Sequence, residues 1–218
     1  MATAKQAGAA ASTSVRAERT RATRRRMLDA AHDLFVARGY TATTIGAIAE
    51  RARVAPQTIY FTFTNKRALL KELIDAAVAG DHDPTPTLQR SWVQRALAAP
   101  DAAEQLRRHV HGAGMIYRRV GPLLEVLRGA TAADGQIREL WQTNKRQRYI
   151  VQAQLAAALC TKRGYIGPGD PAKLADILYA MLSPDMFRLL TTDRRWSLAR
   201  CEQWMVDALC AQLVESGT

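Results

Sequence analysis

Apolar residues recur at intervals of three and four along most of the chain. Met27, Leu28, Ala31, Leu34 and Phe35 form the first such stripe, and Gly39 closes it as a C-terminal glycine cap. Ile45, Ile48, Ala49 and Ala52 form a second, short stripe behind Thr43 or Thr44, either of which supplies an N-cap. The stretch RARVAP then turns the chain, and Pro56 suits the first turn of a very short third helix, PQTIYF. Thr64 or Asn65 caps a fourth helix carrying Leu69, Leu70, Leu73, Ile74 and Val78, which stops near Gly80. After a Pro-rich polar linker, DHDPTPT, helical periodicity resumes over about 88–99, 101–118, 122–132, 135–163, 171–191 and 197–215. Breakers fall at Pro100, Gly121–Pro122, Gly135, Gly164 to Pro171 and Thr192–Asp193. No alternation of period two and no internal repeat is visible, so the pattern predicts an all-α chain.

Two short helices joined by a tight turn, behind a longer one, make a helix-turn-helix unit over 24–66. Such a unit lays its second helix in the DNA major groove. Here that helix is about 55–62, and its N-terminal residues Pro56, Gln57 and Thr58 are the candidates for base edges. The Gln57 amide offers a donor and an acceptor suited to adenine, and Thr58 a hydroxyl and a methyl. Tyr60, Thr62, Thr44 and Lys66 are the candidates for phosphate contacts, Thr44 with the help of free N–H groups at a helix start.

Charge supports a nucleic-acid partner. The 218 residues carry a net +11, and residues 1–66, under a third of the chain, hold 11 Lys and Arg against 4 Asp and Glu. Arg16, Arg19, Arg21 and Arg24 to Arg26 cluster ahead of the first stripe. The small polar residues before them cannot bury enough area to order themselves, so 1–23 is expected to be a disordered basic arm. Arg24, Arg25 and Arg26 are expected to reach DNA beside it.

Other classes lack residues to stand on. No apolar run is long enough to span a membrane, and no apolar segment precedes the N-terminal charges as in a secretory signal, so a cytoplasmic protein is expected. The three cysteines, Cys160, Cys201 and Cys210, lack metal or disulfide spacing and read as small buried side chains. His109 and His111 would diverge by about 200° on a helix and cannot share a metal. No glycine-rich phosphate loop, nucleophilic triad or paired acidic motif is present, so neither an enzyme nor a cofactor is expected.

The segments RRRMLDAAHDLFVARGYTATTIGAIAERARV and APQTIYFTFTNKRALLKELI resemble the TetR family of bacterial repressors. Thr58-Ile59-Tyr60, Phe63, Asn65-Lys66 and Leu69-Leu70 look like that family's signature around its recognition helix. Gly39-Tyr40 before Thr43-Thr44-Ile45, then Ile48-Ala49 and Ala52, also matches. Two positions depart: Arg53 stands where the family usually has a turn glycine, and Ala55 where a serine often caps the recognition helix.

The resemblance implies that 67–218 is a helical regulatory domain that dimerises and often holds an inducer. Stripes on 171–191 and 197–215 suit a four-helix dimer interface, with Ile177, Met181, Trp204, Met205 and Ala208 as its candidates. Asn144 and Arg148 interrupt an apolar face of 135–163. Buried polar groups need partners, either a ligand or a salt bridge, and with Tyr117 and Trp141 they are the candidate pocket residues. The expected function is a dimeric repressor released from a palindromic operator by a small molecule. The rival is an architectural, nonspecific DNA-binding protein driven by the basic arm.

Overall fold

The computed structural model describes residues 2–81 and 85–215, with side chains from Glu18 onward. Its helices are α1 (Ala2–Ala42), α2 (Ile45–Ala52), α3 (Pro56–Phe63), α4 (Lys66–Ala79), α5 (Ser91–Leu97), α6 (Ala102–Ala130), α7 (Gly135–Leu159), α8 (Pro171–Met181), α9 (Pro184–Arg188) and α10 (Leu198–Leu213). A 3-10 turn, Thr87–Gln89, leads into α5, and a π-helical turn, Leu189–Asp193, extends α9. Among the described residues no strand forms; one isolated antiparallel bridge joins Tyr165 to Val214.

The helix-turn-helix unit forms where its caps predict. Of the two threonines, Thr44 is the N-cap of α2, its hydroxyl accepting from the Ala47 N–H at 3.1 Å. Thr43 is buried instead, and its hydroxyl donates to the Gly39 carbonyl at 2.8 Å, binding the end of α1 to the start of α2. Gly39 itself, at φ 77° and ψ 169°, kinks α1 in a conformation that side chains resist. Arg53 occupies the left-handed turn at φ 56° and ψ 52° that glycine would take more easily. Ala55 makes no side-chain cap, and Pro56 begins α3. Asn65 caps α4, its side-chain oxygen accepting from Ala68 N at 2.8 Å.

The N-terminal arm departs from expectation. α1 runs back to Ala2, where a disordered arm over 1–23 is expected, and no backbone break marks 23 from 24. The segment is alanine-rich and free of proline, so once the buried turn at Met27 to Ala31 has nucleated the helix, each added residue costs little. Glu18 to Ala22 stand exposed along it.

The expected domain boundary at 66/67 likewise finds no break in the core. One apolar cluster holds Met27 to Tyr40 of α1, the buried faces of α2, α3 and α4, and Val120, Leu123, Leu124, Leu127 and Ala130 of α6. A second cluster joins the N-terminal half of α6 (Ala102, Leu106, Val110) to the end of α7, α8 and α10.

α6 also passes straight through Gly121–Pro122, where the sequence reading places a break. An internal proline costs about 3 kcal/mol. Burying each large apolar side chain on either side gains about 1.5–3 kcal/mol, and Val120, Leu123, Leu124 and Leu127 are all buried. Conversely, the single helix expected over 171–191 ends at Met181, because Ser183 caps a new helix, accepting from Met186 N at 3.1 Å, and Pro184 starts it. α5 lies close on α6 because residue 112 is glycine: a Cβ there would sit 2.2 Å from a Trp92 ring carbon.

Arg53→Gly is expected to stabilise the protein by about 0.5–1 kcal/mol, the left-handed strain relieved minus glycine's added unfolded-state entropy. Urea denaturation read by helical circular dichroism should show a raised midpoint at unchanged slope.

Candidate nucleic-acid interface and ligand cavity

α3 turns Ile59 and Phe63 wholly inward, and its opposite side outward. Pro56 and Gln57 are exposed and Thr58 is half-buried, so the three base-edge candidates share an accessible helix start. Tyr60 is 54% exposed and Phe61 94% exposed. Phe61 was not singled out from sequence, although its position midway between two inward residues already turns it outward. An exposed phenylalanine beside the candidate base-edge residues could give apolar contact to a thymine methyl or a sugar.

Thr44 sits beside this face. Its oxygen accepts the capping bond, which leaves its O–H free to donate to a phosphate. Thr62 is less available: its hydroxyl donates back to the Thr58 carbonyl at 2.7 Å. Lys66 faces inward as well. Its ammonium donates to the carbonyls of Tyr40 at 2.9 Å and Thr43 at 2.8 Å, and lies 4.2 Å from the Tyr40 ring centroid. Burial pushes its pKa below the ordinary lysine value. Of its three donors, one remains for a phosphate.

Arg24 is not an arm residue. It pairs with Glu72 of α4 at 2.5 Å and covers the Phe63 ring at 4.6 Å, so it fastens α1 to α4. Arg25 and Arg26 remain exposed, Arg25 only loosely approached by Asp29 at 3.9 Å.

A cavity of about 650 Å³ opens between α4, the turn before α5, α6, α7 and α9. Tyr117, Asn144 and Arg148 line it as the interrupted stripe suggests, and His109 and Gln152 join them. Trp141 lies apart, in a smaller neighbouring cleft that Asn144 and Arg148 also reach. His109 and Gln152 are buried, and His109 Nε2, Gln152 Oε1 and Arg148 Nη1 lack hydrogen-bond partners among the described residues. Burial, opposed by the neighbouring Gln152 amide, pushes the His109 imidazole down to about 4, so it is neutral near pH 7. His111 points elsewhere, its Nδ1 3.1 Å from a Glu202 carboxylate oxygen. Gln152 was missed because its apolar neighbours Val151 and Leu155 continue the stripe in its place.

On α8 and α10 the interface candidates divide. Met205 is fully buried within its own chain, among Phe187, Cys201 and Leu209, and presents nothing to a partner. Its place in the stripe faces α6, as the buried Cys201 and Leu209 on either side of it do. Ile177, Met181 and Ala208 are half-buried, and Trp204 is 39% exposed with its ring edge against Trp196.

Residues 27–73, the helix-turn-helix unit and most of α4, match the family described as bacterial regulatory proteins, tetR family. Over those residues the chain carries a tetR-type helix-turn-helix region. It is similar to the uncharacterized HTH-type transcriptional regulator YdeS of Bacillus subtilis, 28% identical over 175 residues, 80% of this chain and 81% of that protein. The fold is shared with solved structures over about nine tenths of the chain. NalD, the secondary repressor of the MexAB-OprM multidrug efflux pump in Pseudomonas aeruginosa, superposes with a TM-score of 0.70 at 17% identity, covering 92% of this chain and all of NalD. The SmeT–triclosan complex superposes at 0.71 and 19% identity, covering 90% and 93%. At these identities the likeness is one of fold. With this helix-turn-helix region the chain is a DNA-binding regulator. No helix among the described residues is long and apolar enough to cross a membrane.

The buried imidazole has a pH signature. The folded state holds His109 near 4 and the unfolded chain near 6.5, so below 6.5 protons favour unfolding. Stability should be full above pH 6.5 and fall by ~3 kcal/mol in all as the pH drops towards 4. His109→Gln should remove that component from denaturation curves taken across the window.

Proposed function

We propose that this protein is a dimeric transcriptional repressor that leaves a palindromic operator when a small, largely hydrophobic molecule enters the cavity. One observation carries the reading: α4 belongs to both sites. Its Leu69, Leu70, Leu73 and Ile74 pack the core of the helix-turn-helix unit, while Lys71, Asp75, Val78 and Ala79 line the cavity. A molecule that reseats α4 changes the spacing of two recognition helices in a dimer. SmeT, which shares the fold, is solved with triclosan bound.

On DNA, Pro56, Gln57 and Thr58 read base edges and Phe61 adds apolar contact. Thr44 and Tyr60 hold phosphates, helped by the remaining donor of Lys66, and Arg25 and Arg26 meet the flanking backbone. Ile177, Met181, Trp204 and Ala208 make the subunit interface.

Selection from a randomised duplex library tests this reading. A palindromic site preferred by roughly 10³ or more over random DNA supports a repressor; uniform binding would mean a nonspecific coat. Gln57→Ala should relax one symmetric pair of operator positions at about 1–3 kcal/mol per base pair. Phe61→Ala should weaken binding with the salt slope unchanged, because no phosphate contact is lost.

The interface has its own measurement. Light scattering at micromolar concentration should give a dimer for the wild type. Trp204→Asp should give a monomer of unchanged helix content, and Ile177→Asp a monomer of lowered stability, since each carboxylate is buried more deeply in the dimer than in the chain alone.

A further inference from the structure

The cavity has a chemical bias that its apolar walls conceal. Four charged side chains border it: Lys71, Asp75, Arg90 and Arg148. Lys71 and Asp75 pair with each other at 2.5 Å, and Arg90 pairs with Asp81 at 2.7 Å. Arg148 differs. Among the described residues no carboxylate comes within 4 Å of it, its guanidinium rests 3.8 Å from the Tyr179 ring centroid, and its buried Nη1 has no acceptor. A guanidinium held against a ring and without a carboxylate, standing between the cavity and the neighbouring cleft that Tyr179 lines, suits an anion, because charge-assisted hydrogen bonds are roughly twice as strong as neutral ones.

The other polar atoms and the rings set the rest of the ligand. Arg148 and Gln152 stand one turn apart on α7, about 6 Å along its axis. Gln152 Oε1 stands beside the His109 imidazole and, with two lone pairs, has room for a further donor such as a hydroxyl. Two stacked pairs border the space: Tyr117 on Phe187, with centroids 5.0 Å apart and planes 16° from parallel, and Trp92 on His109 at 6.4 Å and 25°. Flat walls of this kind suit a planar body. A cation would meet Arg148 with every bordering carboxylate already paired.

We infer that the cavity takes an aromatic carboxylate bearing a hydroxyl: its carboxylate on Arg148, its ring system against the Tyr117–Phe187 and Trp92–His109 pairs, and its hydroxyl on Gln152. The inference rests on the reading of this cavity as the effector site and adds the class of molecule that fills it.

Three probes on one skeleton test it: 6-hydroxy-2-naphthoate, its methyl ester, and the corresponding naphthylmethyl trimethylammonium ion. Calorimetric titration of the full-length protein should show the acid binding at least tenfold more tightly than either analogue. Arg148→Gln should abolish that preference, and Arg148→Lys should keep it in weaker form. Gln152→Leu should weaken the hydroxy acid about tenfold and leave 2-naphthoate unchanged. Circular dichroism and melting curves confirm that each variant is folded. Equal binding of acid and ester, preference for the cation, failure of all three probes to bind, or an intact acid preference in Arg148→Gln would each overturn the inference. A parallel operator-release assay separates the two readings. An acid that binds in the expected pattern without releasing operator leaves the cavity chemistry standing and removes the proposed induction. Release by a probe showing no acid preference does the reverse.

Discussion

Burial of the C-terminal half of α6 under the helix-turn-helix unit is the contact on which the rest of the molecule depends. Val120, Leu123, Leu124, Leu127 and Ala130 complete a core that α1 to α4 cannot close by themselves. A unit of some fifty residues buries too little surface to be comfortably stable alone. The same contact holds Pro122 inside a continuous helix. α6 is therefore a single rod of 29 residues, roughly 44 Å long, with one end in each core. One continuous helix thus joins the helix-turn-helix core to the second core.

Around that rod, cations act as internal fasteners more than as surface charge. Lys66 holds the α1–α2 corner through two carbonyls, and Arg24 holds α1 to α4. Arg119 of α6 donates to the Ala77 and Val78 carbonyls at the end of α4, and Lys162 does the same for Leu97 and Ala99. Each satisfies carbonyls that helix ends and turns leave unpaired. The net charge of the N-terminal third thus overstates what is free for phosphate, and the burden shifts to exposed groups such as Arg25 and Arg26.

This distinction explains what could be read from the chain and what could not. Stripes and caps located α2, α3 and α4 and the outward start of the recognition helix, because those signals are local. Arg53 in a strained turn was also visible, since only the family pattern of a glycine there makes it unusual. Pro122 and Met205 were misread for one shared reason: a stripe marks a face as apolar without saying what covers it. Pro122 is carried by neighbours on distant helices, and Met205 is covered by its own chain. Ser183–Pro184 was a start signal hidden within an apolar run. Asn144 and Arg148 marked the cavity because polar residues broke an apolar face. His109 and Gln152 left no such mark, because they meet only where α6 packs against α7.

Phe61 has a further consequence for the protein away from DNA. The Phe61 ring, 94% in water beside the half-exposed Tyr60, makes an apolar spot on a basic face, and like charge keeps copies apart at low ionic strength. Salt shortens the reach of that repulsion, to about 3 Å at 1 M. The salt that strips nucleic acid from the protein during purification thus also removes the barrier between exposed rings. Colloidal stability and freedom from nucleic acid then pull in opposite directions, and on the proposed reading DNA laid along α3 would shield the ring as well as set the target.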